Sequence, residues 1–187
     1  MKLGHLFSWR AKPQLSDAST FAASSRLTIK ASKIDKLGSF ATEDIAQGEF
    51  IRDLSGDEVS KREILRRIKK GRLSSDDPLQ IATDRFIDLD PASLAINHSC
   101  DPNAGVRASN ELIALRHIKT GEEVTFDYST TVTSTIDPFD WEMDCACGSP
   151  LCRKTIGNVS TLPKSSMQKF IQANALPHYI LVELGLK

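Results

Sequence analysis

The chain has 187 residues, enough for one domain with a sizeable core or one domain with tails, and its 24 basic residues balance 24 acidic ones. That balance excludes a globally basic field for gripping nucleic acid and leaves only local patches for such work. No apolar run approaches the length of a membrane span, so the expectation is a soluble, intracellular protein with no membrane partner. Residues 1–25 are rich in Ser and Ala, carry one acid, Asp17, and show no clean period, as a poorly ordered tail does. Lys2, Arg10 and Lys12 among serines also suit a short organellar presequence, so both readings of this segment stand.

From Leu27 the pattern turns to short strands. LTIKASKI alternates in part, SFATEDIAQGEFI sets Phe40, Ile45, Phe50 and Ile51 around a Gly48 turn, and RFIDL follows later. Between them one helix is well signed: Ser60 and Glu63 form a capping-box pattern, Val59 and Ile64 can staple it, and Gly71 stops it. Ile64, Leu65 and Ile68 make its apolar stripe. Its outer face carries Lys61, Arg62, Arg66, Arg67, Lys69 and Lys70, either a solvated helix face or a patch for nucleic acid or an acidic partner, with the solvated face favoured. SSDDPLQI is an acidic loop entering a further strand. IKTGEEVTFDY then repeats the earlier turn design, Ile118 preceding Gly121 as Ile45 precedes Gly48, and strand alternation predicts Phe126 and Tyr128 on one face. From Lys164 the chain is expected to be helical, with Met167, Phe170 and Ile171 at core spacing and Pro177 breaking the run. Many short strands without alternating strand–helix units exclude a doubly wound nucleotide fold, and no GxxxxGK, Gly-x-Ser-x-Gly or His-Glu-x-x-His pattern occurs.

The four cysteines fall in two places. DCACGSPLC sets Cys145, Cys147 and Cys152 on a Gly148/Pro150 turn, and Cys100 stands upstream in AINHSCDPN. Four soft ligands suit one tetrahedral, structural zinc with no open position, which would clip the C-terminal segment onto the surroundings of Cys100. A pair of disulfides is the competing reading; Cys145 and Cys147 are too close for an easy bridge, and no apolar signal region follows MKLGHLFSWR.

AINHSCDPN, GEEVTFDY and CACGSPLC, in that order, make the chain resemble the SET-domain family of protein-lysine methyltransferases with a post-SET zinc segment, over about Leu27 to Pro163. The resemblance implies a mostly β fold with minor α content, built of small curved β-clip-like sheets. In it the NHSC and FDY segments meet in a pseudoknot. It implies boundaries near 26–135 for the SET domain, 136–160 for the post-SET zinc segment and 161–187 for a C-terminal helical extension. It further implies S-adenosylmethionine as methyl donor, a protein lysine as acceptor, on a histone or another protein, and one structural zinc on Cys100, Cys145, Cys147 and Cys152. Asn97 and His98 match the family's cofactor-binding pair, Tyr128 its catalytic tyrosine, and Phe126 a position linked to methyl number. Gly38 stands at the second glycine of the cofactor loop, with Lys36 at the first, and Leu151 stands where a side chain often covers the adenine. Leu94 and Ala95 replace the family's usual Arg-Phe. In a nucleated cell the implied compartment is the nucleus; in a bacterium, the cytoplasm or export into a host.

Those residue types suit the chemistry. Methyl transfer to an amine is an in-line displacement whose main demand is alignment. A lysine near its free pKa of about 10.4 must lose its proton first, which an aromatic wall such as Phe126 favours. A tyrosine oxygen can position and polarise the reacting groups. Two other readings fit the same residues: a SET-fold binding module weak in catalysis, motivated by the altered glycine loop, and a zinc-stapled interaction domain using the helix around Arg66 and Arg67.

Overall fold

The computed structural model describes residues 26–135 and 141–187. The tail and presequence readings of residues 1–25 lie outside the described residues.

Strand β1 (Leu27–Ala31) folds back on β2 (Leu37–Ala41), in register from Leu27 opposite Ala41 to Ala31 opposite Leu37. After β3 (Phe50–Asp53) and β4 (Gly56–Ser60), helix α1 (Lys61–Lys69) starts where the Ser60 hydroxyl accepts the Glu63 N–H at 3.3 Å. The reciprocal half of the expected capping box is not made. Glu63 turns instead to Arg66 and Arg67, whose hydrogen bonds hold its carboxyl down at about 2. Ile64 is buried under the helix, and Gly71, at φ 63, ends it. Two of the helix's cations are thereby occupied, Arg67 also meeting Asp57 and Asp88.

The chain continues through β5 (Pro78–Ala82), β6 (Arg85–Leu89) and the short α2 (Pro91–Leu94), capped by Asp90, to β7 (Asn97–His98), β8 (Ala104–Arg107), β9 (Glu111–Ala114) and β10 (Glu123–Phe126). A 3-10 turn, Tyr128–Thr131, follows. Beyond it lie β11 (Met143–Asp144), β12 (Thr155–Ile156), a second 3-10 turn at Val159–Thr161, α3 (Lys164–Gln172) and α4 (His178–Glu183).

These strands form small sheets with the orders β1-β2-β10-β7, β3-β9-β8, β4-β6-β5 and β11-β12, the mostly β architecture expected. Their junction is the repeated turn design. Ile45 and Ile118, both fully buried, bridge each other through N–H···O bonds of 2.8 and 2.9 Å, and Gly48 and Gly121 close the two turns at the same φ of 83. Left-handed backbone of this kind favours glycine at both positions. Around the Ile pair, Ile51, Leu54, Ile96, Val106, Leu112 and Val124 make the main core. A second cluster gathers Ile64, Phe86, Trp141 and Ile156 with the cysteines. A third packs α3 and α4 onto Ile113 through Phe170, Leu176 and Ile180.

Asn103, at the bend before β8, is a buried staple. It is 2% exposed, its amide donates to Glu122 Oε1 and to the Glu123 carbonyl, and its Oδ1 accepts the Thr125 N–H at 2.9 Å.

Gly56 lies at φ 154 with the Asp88 carbonyl oxygen 2.2 Å from where a Cβ would stand, and backbone cannot swing aside as a side-chain tip can. Gly56→Ala is therefore expected to cost about 2 kcal/mol or more in urea unfolding; a loss under about 0.5 kcal/mol would show that the β4–β6 pairing relaxes freely.

Candidate active site and metal-binding cluster

Two sequence-distant segments meet at the centre of the molecule. β7 runs parallel to β10, with Asn97 beside Thr125 and Phe126 beside His98, and the Ser99 N–H donates to the Phe126 carbonyl at 3.2 Å. The pairing lasts two residues because Asp127 then turns the chain: its side chain accepts the Ser129 N–H and opens the 3-10 turn. Tyr128 therefore leaves the strand, which corrects the expectation that alternation alone sets Phe126 and Tyr128 on one face. The rings meet all the same, 4.8 Å apart and tilted by 47°, because the turn folds Tyr128 back.

Phe126 and Tyr128 line a cavity of about 400 Å³, together with Ile64, Ile68, Leu94, Ile96, Trp141 and Met143. Every charged side chain on its described wall is an aspartate, namely Asp35, Asp76, Asp77 and Asp144. The Tyr128 hydroxyl donates to the Ile96 carbonyl at 2.8 Å. Burial, reinforced by the nearby carboxylates, pushes its pKa well up, so the phenol stays neutral. Its proton is committed to Ile96, and its oxygen keeps lone pairs to accept from a donor in the cavity.

Asn97 is 1% exposed, and its amide donates to the Leu37 carbonyl at 2.9 Å and to Glu123 Oε1 at 2.8 Å. Its side chain is thus spent on fixing the 32–37 loop. Glu123, which sequence reasoning missed, is the hub: it also accepts the Ser32 hydroxyl, and its Oε1 lies 2.2 Å from where a Cβ on Gly38 would stand. A Cβ at 38 would push that carboxylate away from Ser32 and Asn97. Lys36, in place of the first glycine, takes a φ of 26 that L side chains seldom adopt, and its carbonyl accepts the Ser32 N–H at 3.1 Å. Leu151 is not brought to this cavity. It is 58% exposed and lines a second one, of about 430 Å³, with Cys100, Asp101 and Phe170.

The cysteines converge as expected, and a histidine joins them. Ligand atoms of His98, Cys100, Cys145 and Cys147 lie within 4.8 Å of one another. Cys145 Sγ is 3.8 Å from Cys100 Sγ and 3.7 Å from Cys152 Sγ. A tetrahedron of sulfurs about 2.3 Å from a zinc ion has edges of about 3.8 Å, which these two spacings match; Cys152 is not one of the four residues whose ligand atoms all lie within 4.8 Å of one another. His98 lies beside the cysteines, its Nε2 3.3 Å from Cys100 Sγ. Its Nδ1, however, accepts the Tyr128 N–H at 3.2 Å, and burial lowers its pKa to about 4. A neutral imidazole that accepts at Nδ1 carries its proton on Nε2, where it donates toward sulfur. One ring thus joins the sulfur cluster to the backbone of Tyr128.

The comparisons agree with this geometry. The SET domain pattern matches residues 36–129. The chain belongs to the SET domain family. It is 32% identical over 147 residues to a Candida albicans histone-lysine N-methyltransferase, H3 lysine-36 specific, covering 71% of this chain and 17% of that protein. It is 30% identical over 151 residues to the Arabidopsis thaliana histone-lysine N-methyltransferase ASHH3, covering 73% of this chain and 40% of that protein. A humanized mutant of the Chaetomium thermophilum Polycomb Repressive Complex 2, bound to an inhibitor, superposes with a TM-score of 0.50 at 26% identity, covering 59% of this chain and 15% of that one. The chain therefore spans well under half the length of these relatives.

Past the end of the SET domain match, Arg153 reaches back into it. Its Nη2 donates to Asp127 Oδ1 at 2.7 Å, and its backbone N–H approaches Cys100 Sγ at 3.4 Å. Asp127 is fully buried, and its Oδ2 and the Arg153 Nε and Nη1 make no hydrogen bond among the described residues. This ion pair, next to both Tyr128 and Cys152, is not visible in the sequence, where Asp127 and Arg153 are two charges among many. Arg153→Met strands a buried carboxylate and is expected to cost about 3–5 kcal/mol in chemical denaturation, with most of it regained in Asp127→Asn/Arg153→Met. A double variant no more stable than the single one would contradict this.

Proposed function

We propose that this SET domain transfers a methyl group from S-adenosylmethionine to the ε-amino group of a protein lysine, with histone H3 the first acceptor to test. The carrying observation is the neutral Tyr128 hydroxyl. Its proton is tied to Ile96, and it stands at the wall of an apolar cavity whose described charges are all aspartates. The names of the relatives support the histone acceptor and, with it, action on chromatin in the nucleus. No helix among the described residues is long and apolar enough to cross a membrane.

S-adenosylmethionine supplies an electrophilic methyl on a sulfonium. The chain's own residues have three tasks. The aspartates draw a cationic side chain toward the cavity, while Phe126, Ile96 and Trp141 desolvate it and lower its pKa so that a neutral amine is exposed. The Tyr128 oxygen accepts from the amine N–H and fixes the line of attack. Lys36, Gly38, Asn97 and His98 serve cofactor binding in this reading, Asn97 through the loop it holds in place rather than by reaching out. Leu151 stands apart, on the second cavity, which none of these four residues lines. Zinc is held by Cys100, Cys145, Cys147 and Cys152, with His98 donating to Cys100.

Tritium transfer from labelled S-adenosylmethionine to core histones and nucleosomes tests the reading. Tyr128→Phe is expected to lower transfer by roughly 10²-fold or more in a protein that stays folded but is destabilised by about 1–3 kcal/mol through the unpaired Ile96 carbonyl, and a Tyr128→Phe protein as active as the parent would overturn the role of the hydroxyl. Purified protein is expected to hold one zinc per chain. Cys147→Ser or a chelator should lower zinc content and stability together, because metal binding energy is folding energy in such segments; an unchanged melt after full metal loss would refute the structural role.

A further inference from the structure

We infer that Tyr179, on the C-terminal helix α4 and fifty residues beyond the SET domain match, is a positioning residue that braces the junction of β5 and the Tyr128 turn in the lining of the Tyr128 cavity. Its hydroxyl lies 2.6 Å from the Gln80 carbonyl oxygen and 2.7 Å from the Thr131 carbonyl oxygen. Gln80 belongs to β5 and Thr131 ends the 3-10 turn that Tyr128 begins; both residues line the cavity. One phenolic proton thus serves two neighbouring backbone acceptors, one on β5 and one on the turn, and ties these two parts of the cavity lining together.

The same junction is tied a second time, by side chains alone. Gln80 Oε1 accepts the Thr133 N–H at 3.0 Å, and Gln80 Nε2 donates to Thr133 Oγ1 at 3.1 Å. Gln80, Thr131 and Thr133 are 2%, 3% and 5% exposed, so water cannot replace these bonds cheaply. α4 is itself fixed from outside: the His178 N–H donates to the Ala108 carbonyl at 2.8 Å, and Glu183 Oε1 accepts the Ser134 N–H at 2.8 Å. Beneath it Ile180 and Leu181 are buried with Phe170 and Ile113. The helix is therefore an anchored platform from which Tyr179 reaches the cavity wall, and the SET domain alone lacks that brace.

The inference rests on the methyltransferase reading for its kinetic consequence and on the structure alone for its mechanical one, so the test reads both. Tyr179→Phe in the full chain removes the hydroxyl and keeps the ring. Amide hydrogen exchange is expected to rise roughly tenfold in 78–82 and 130–134, with exchange in 143–156 and zinc content unchanged. With core histones as acceptor, KM for the histone and the ratio of mono- to di- and trimethyl product should shift, whereas simple loss of folded protein lowers kcat alone. Unchanged exchange in both segments, or a rise spread evenly over the chain, would overturn the inference. If the parent protein transfers no methyl, the functional reading fails while the exchange result still decides whether Tyr179 braces this wall.

Discussion

The two-residue parallel pairing of Asn97 and His98 with Thr125 and Phe126 is the contact on which the site depends. Parallel strands joined by so short a ladder gain little from hydrogen bonds alone, and each adjacent side chain adds a separate restraint. Asn97 ties the 32–37 loop through Leu37 and Glu123, His98 receives the Tyr128 N–H, and Ser99 completes the ladder to Phe126. Because the pairing stops at Phe126, the chain is free to turn at Asp127 and bring Tyr128 back over the Phe126 ring. A longer strand would carry the tyrosine past the cavity.

Three polar residues, the half-buried Glu123 and the buried Asn103 and Asp127, keep that crossing in one arrangement, and each serves a different neighbour. Glu123 holds Ser32 and Asn97, and a Cβ at 38 would displace its carboxylate from both. Asn103 replaces a missing ladder partner for Thr125. Asp127 caps the turn and receives Arg153 from the cysteine-bearing segment. Buried polar groups are costly when unpaired, so these pairings disfavour shifted registers more strongly than apolar packing would.

Much of this was legible in the sequence where the signal is local. The cysteine spacing, the Ser60-to-Gly71 helix and the paired Gly48 and Gly121 turns each follow from a few adjacent residues, and the structure keeps all of them. What was hidden is set by contacts between distant segments. Alternation put Phe126 and Tyr128 on a strand face, and a capping aspartate between them overrode it. Tyr179 sits in HYILVE as an ordinary aromatic of a short helix, and only the tertiary fold brings it to Gln80 and Thr131. The nearness of His98 to Cys100 Sγ was hidden in the same way, since it depends on the fold around both side chains.

The role of His98 follows from charge. Four thiolates around a divalent ion carry a net negative charge, which a buried site must offset with donors. With the proposed zinc in place, the Cys100 N–H toward Cys147, the Arg153 N–H toward Cys100 and the His98 Nε2–H toward Cys100 supply them. The His98 proton is held on Nε2 because the Tyr128 N–H occupies Nδ1, so the turn that places the tyrosine also fixes the tautomer that serves the sulfur. Metal cluster and tyrosine turn are therefore coupled through one ring, and distortion at either end must be felt at the other.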